Sequence, residues 1–124
     1  MDSHLLTEKQ NVIDLGKKQA LSILKDKRTD SLLNGKYFLK GVIKGFDLCE
    51  SFFCLEQLER FILFYINEEQ SLLKKMNEKV EFEDLINNSK PNPTLVRKLA
   101  FLRGVKSTIM YLYEVLNVIS LRRR

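Results

Sequence analysis

Apolar residues along this chain recur at three- and four-residue steps, the period of a helix packed on one side. Alternating apolar and polar positions are nearly absent. The longest such run is Val80-Glu81-Phe82-Glu83. Four helices are predicted. The first runs from about Thr7 to Lys27, with Ile13, Ala20 and Leu24 near one face. Thr7 and Gln10 have the T-x-x-Q spacing of a capping box, in which two side chains satisfy orphan backbone amides. Gly16 costs this helix up to about 1 kcal/mol relative to alanine, so it marks a close crossing. The second helix, about Leu32 to Glu50, follows Asp30 or Ser31 as cap. It buries Phe38, Val42, Phe46, Cys49 and Phe53. The third runs from Leu55 to about Asn77. Leu55, Leu58, Ile62, Tyr65, Leu72 and Met76 form a seam in which Glu69 fills one site, and Phe82 to Asn87 adds a short turn. Residues 87–93, with Pro91 and Pro93, break the helical pattern. The last helix starts at a Thr94 cap and continues to about Leu121. Its stripe of Phe101, Leu102, Val105, Ile109, Leu112, Leu116 and Ile119 is predicted as a helix-packing or dimer interface.

The expected fold is therefore all-α: one domain over residues 1–124, a bundle of about four helices with a long apolar C-terminal helix. A chain of this length buries roughly 67% of its unfolded surface, enough for a core without staples. One segment is echoed. Phe38-Leu39-Lys40-Gly41-Val42 returns as Phe101-Leu102-Arg103-Gly104-Val105. Gly41 and Gly45 also lie four apart. Both patterns predict helices in close approach at their glycines.

Charge changes the picture in one respect. The net charge of +5 is uneven. Residues 1–54 hold nine Lys/Arg against seven Asp/Glu, residues 55–90 five against eight, and residues 91–124 seven against one. An acidic middle packed against a basic end explains this within one bundle. The competing explanation is an external polyanion. Lys36, Lys40 and Lys44 share one face of the second helix. With Arg97, Lys98, Arg122, Arg123 and Arg124 they are the candidate contacts for an acidic partner or nucleic acid. Glu114 has no cation three or four residues away, which places it at the outer edge of the packed face.

Candidate chemistry is sparse. His4 is the single histidine, so no base is at hand to activate a serine or cysteine. Two cysteines five residues apart point roughly 140° apart on one helix and share no metal there. They suit a reducing compartment. No phosphate-binding glycine loop occurs. Paired acids such as Glu68-Glu69 read as solvated faces. Ala100, Gly104 and Met110 match the spacing of a helix-turn-helix, which requires a corner at Gly104. Phe101, Leu102 and Arg103 fit that motif poorly.

No enzyme, cofactor, metal, membrane span or small-molecule substrate is expected. The leading functional reading is a non-enzymatic interaction protein, an adaptor, regulator or inhibitor that pairs with another protein or with itself as a homodimer. The second is a nucleic-acid-binding regulator using the basic residues. A cytoplasmic setting follows from the lack of a cationic, apolar leader at Met1-Asp2-Ser3-His4. The Lys, Asn and Ile usage is that of an AT-rich genome, as in viral or mobile elements.

Overall fold

The computed structural model describes residues 3–26, 33–52, 54–87 and 93–122, with side chains for 4–26, 35–52, 54–77 and 94–122. Four helices account for nearly all of it: α1 (Ser3–Lys25), α2 (Leu33–Cys49), α3 (Leu55–Asn87) and α4 (Pro93–Arg122). No strand occurs among the described residues. The fold is an all-α bundle.

Helix boundaries moved where packing outweighed local signals. Helix α1 begins four residues before Thr7, because Leu5 is buried and draws the first turn into the helix. Thr7 is therefore interior, and the Gln10 side-chain amide donates to Asp14 Oδ1 at 2.8 Å instead of closing a capping box. Asp30, Ser31 and Phe53 lie outside the described residues. The proposed turn at 82–87 is the last part of α3, which runs through without a break. Helix α4 starts at Pro93, not Thr94. Proline suits a first helical position, where a missing N–H costs nothing and φ is preset.

The most extensive interface joins α2 and α4; α1 packs on both of these, and α3 packs on α4. The α2–α4 contact is made at glycines. A Cβ on Gly41 would overlap the Phe101 carbonyl and lie 3.1 Å from the Gly104 Cα. A Cβ on Gly104 would overlap the Phe38 carbonyl and lie 2.9 Å from the Val42 nitrogen. One turn on, a Cβ on Gly45 would sit 3.0 Å from the Val105 carbonyl and 2.8 Å from Thr108 Cβ. The two echoed segments thus meet each other, each glycine against the carbonyl three residues before the other. Residue numbers rise together along the contact, so α2 and α4 run parallel. The Thr108 hydroxyl donates to the Gly104 carbonyl at 2.9 Å, which keeps the crossing free of an unsatisfied hydroxyl.

Around this crossing lies the core. Val105, Ile109, Leu112 and Leu116 of α4 are wholly buried with Ile13, Leu58 and Cys49. Phe101 and Ile119 pack against the same cluster. Leu102 is half-buried. The predicted α4 stripe is thus largely occupied by packing within the chain. Helix α4 is central but not apolar all round: Arg103, Ser107, Met110, Tyr111, Glu114 and Val118 are exposed. It continues as one helix past Gly104, as the apolar stripe predicts, so the corner a helix-turn-helix requires is not made there. That glycine serves a crossing and not a corner.

Candidate functional site

Two side chains close the bundle from outside its apolar core. Lys9, on the buried face of α1 between Leu5 and Ile13, donates from Nζ to the carbonyls of Glu50 (3.0 Å) and Phe52 (2.7 Å). These carbonyls sit at and just beyond the C-terminus of α2, where a cation also complements the helix dipole. Burial lowers the Lys9 pKa. The sequence signal was a lysine one turn from two buried apolar positions, and the reading passed over it. Glu69, the break in the α3 seam, is buried. It accepts from Arg103 Nε at 3.0 Å and from Lys106 Nζ. Here the acidic middle of the chain does meet its basic end.

Burial alone would raise the Glu69 pKa, but the hydrogen bonds from Lys106 and Arg103 outweigh it and hold the carboxyl below its ordinary 4.5. A depressed carboxyl pKa adds stability above the unfolded-state value, and that stability is lost as pH falls through the folded-state value. Glu69→Gln is therefore expected to cost about 1–2 kcal/mol at pH 7, discounted because Arg103 is half exposed. The variant should also show a flatter loss of stability below pH ~4.5 than the wild type. Urea titrations at pH 7 and pH 3.5 check both.

The basic residues separate into three groups. Arg103 and Lys106 are taken up by Glu69. Lys17 is likewise held by Asp47 and Glu50 across the α1–α2 interface, and the hydrogen bonds it donates to Asp47 and then Glu50 raise its pKa. Lys36, Lys40, Lys44, Arg97 and Lys98 form no ion pair among the described residues. Lys40 Nζ lies 5.1 Å and Arg97 Cζ 5.4 Å from the centroid of the Tyr37 ring, so this α2 side chain holds one cation of its own helix and one of α4. Tyr37 was missed from sequence, although an aromatic between Lys36 and Lys40 was the available signal. Arg97 Nε is buried without a hydrogen-bond partner. Arg122 belongs elsewhere. It lies 25 residues beyond Arg97 on α4, about 37 Å along the helix axis, so the single basic set expected from sequence is two distant groups. Arg123 and Arg124 lie outside the described residues.

An apolar groove opens between α3 and α4. Its volume is about 430 Å³, and it is lined by Ile62, Leu63, Met110 and Tyr113 with Glu59 and Glu114 at the rim. Leu63 is 61% and Met110 38% exposed. The Tyr113 hydroxyl donates to Glu59 Oε1 at 2.6 Å, which raises the Tyr113 pKa. Glu114 is exposed and forms no ion pair among the described residues. A second groove of about 310 Å³ lies between α1 and α2 beneath Leu15, Ile23 and Tyr111.

Among the described residues the candidate catalytic groups stand apart. His4 is on α1, exposed, and 3.9 Å from Glu8. Cys49 ends α2 and is buried, which pushes its thiol up to about 12. Cys54 precedes α3, so the two lie on no common helix, and both are free thiols. Among the described residues no group of three or more His, Cys, Asp or Glu could hold a metal ion. None of the described helices is long and apolar enough to cross a membrane. Compared with known protein families, characterised proteins and solved structures, the chain matches none.

Proposed function

We propose that the chain is a non-enzymatic helical interaction module, a small adaptor, regulator or inhibitor, that self-associates through the outer face of α3 and α4. The observation that carries this reading is the α3–α4 groove, where Leu63 and Met110 stand exposed over an apolar floor. Phe64, also exposed, extends the apolar surface of α3 beside Arg60. Apolar centres ringed by charge are what protein interfaces bury. The rim offers Glu59 and Glu114 on one side and Arg60 on the other, so a second copy can pair opposite charges around the apolar centre. The free thiols of Cys49 and Cys54 support a reducing, cytoplasmic setting.

Sedimentation equilibrium at micromolar concentration tests it. A dimer is expected for the wild type. Leu63→Glu with Met110→Glu should yield a monomer of unchanged helicity, since both positions are exposed. A wild-type monomer across the micromolar range overturns self-association. A dimer unaffected by the double substitution places the contact on another face.

A further inference from the structure

Parallel packing of α2 and α4 has an electrostatic result. Both helices begin at the same end of the molecule, and the N-terminus of each helix carries roughly half a positive charge. Neither helix has an acid in its first turn. Lys36 lies in the first turn of α2, and Arg97 and Lys98 follow directly on the first turn of α4. Lys40 joins them through the Tyr37 ring. The dipole disfavours cations at these positions, yet no carboxylate among the described residues pairs with them. Elsewhere the chain neutralises Lys17, Arg103 and Lys106 with Asp47, Glu50 and Glu69. Lys36, Lys40, Arg97 and Lys98 thus stand, without an ion pair among the described residues, where the backbone is already positive.

We propose that this end of the bundle docks the phosphate backbone of nucleic acid. Lys36, Lys40 and Lys44 stand one turn apart, about 6 Å along α2. A row of cations needs a row of anions, and a phosphate strand supplies one at regular spacing. With Lys40 and Arg97 over the Tyr37 ring, that ring organises cations and does not stack bases. Lysine and arginine contacts to phosphates carry no sequence information, so binding is sequence-independent. A bound polyanion would offset the mutual repulsion of these cations. The site is separate from the α3–α4 groove, and the self-association reading can fail without it.

Fluorescence anisotropy of a short labelled DNA duplex, titrated with the full chain at 50 and 200 mM salt, tests the proposal. Five phosphates engaged by Lys36, Lys40, Lys44, Arg97 and Lys98 give a log–log salt slope near −4.5, so affinity should fall about 500-fold between the two salts. Lys40→Gln should flatten the slope by about 0.9. Lys36→Glu with Lys98→Glu should abolish binding while the melting temperature holds or rises, because acids replace cations near two helix N-termini. Arg122→Gln, at the far end of α4, should leave binding unchanged. No binding at 50 mM salt overturns the proposal, as does a flat salt dependence. So does equal loss in the Arg122 variant, or a drop in melting temperature that accounts for the loss in the Lys36/Lys98 variant. Equal competition by polyglutamate, or binding to anionic lipid vesicles with the duplex ignored, reassigns the surface to another partner and also overturns it.

Discussion

Gly104→Ala is expected to destabilise the protein by about 3 kcal/mol or more, the upper end of the range for overpacked cores. The added methyl would overlap the Phe38 carbonyl and press on the Val42 nitrogen and the Gly41 carbonyl carbon. These are backbone atoms, so no rotamer change makes room, and α2 and α4 must move apart along their shared contact. Alanine's helix propensity returns at most about 1 kcal/mol, which the overlap exceeds. For a chain of this size the loss corresponds to a melting temperature lower by roughly 10 °C. Gly41→Ala should behave alike, because its methyl meets the Phe101 carbonyl. Gly35 supplies the internal comparison. It lies in α2 but is exposed, so Gly35→Ala should be neutral or stabilise by up to about 1 kcal/mol. Thermal melts of the three variants separate helix propensity from crossing geometry.

Lys9→Met is the second large expected effect, a loss of about 2–3 kcal/mol by urea denaturation. Methionine keeps the length and apolar contacts of the stem but donates nothing. The Phe52 carbonyl, whose bond to Lys9 is buried, and the Glu50 carbonyl would lose their 2.7 and 3.0 Å donors. The cost should fall on the α2–α3 connection. Phe52 itself is buried there, edge-on to Phe61 with ring centroids 4.5 Å apart, so a loosened carbonyl releases an aromatic contact as well. By contrast Lys18→Met, at an exposed position on the same helix, should change stability by no more than about 0.5 kcal/mol.

The helical fold was legible because each helix keeps a 3.6-residue apolar rhythm, and the core residues of α4 could be picked out from that rhythm alone. The glycine echo was legible too: two segments with the same bulky pair, cation and glycine do cross closely. Their parallel direction was not, because spacing within one helix says nothing about which way its neighbour runs. Helix starts were misplaced at Thr7 and Thr94 because capping side chains are weak local signals, outweighed by burial of Leu5 and by the preset backbone of Pro93. Glu69 stood out as a charge in an apolar seam, yet its partners lie 34 and 37 residues away, beyond any local pattern. The basic residues were grouped by charge alone. Only the fold shows that Arg103 and Lys106 are neutralised, that Lys40 and Arg97 share Tyr37, and that Arg122 belongs to the far end of α4. The Ala100–Gly104–Met110 spacing matched a turn motif by coincidence, because glycine serves a close crossing as well as a turn.

The phosphate-docking end depends on how α2 and α4 lie together. If those helices were antiparallel, their positive ends would be separated and Tyr37 could not reach Arg97. Nuclear Overhauser contacts between the α-protons of Gly41 and Gly104, measured on isotope-labelled protein, address this directly. Strong cross-peaks between these two glycines, with a second set between Gly45 and Thr108, are the result expected of a parallel, glycine-lined crossing. Cross-peaks from Gly41 to residues of α4 beyond Thr108, with Gly45 contacting residues before Gly104, would contradict it.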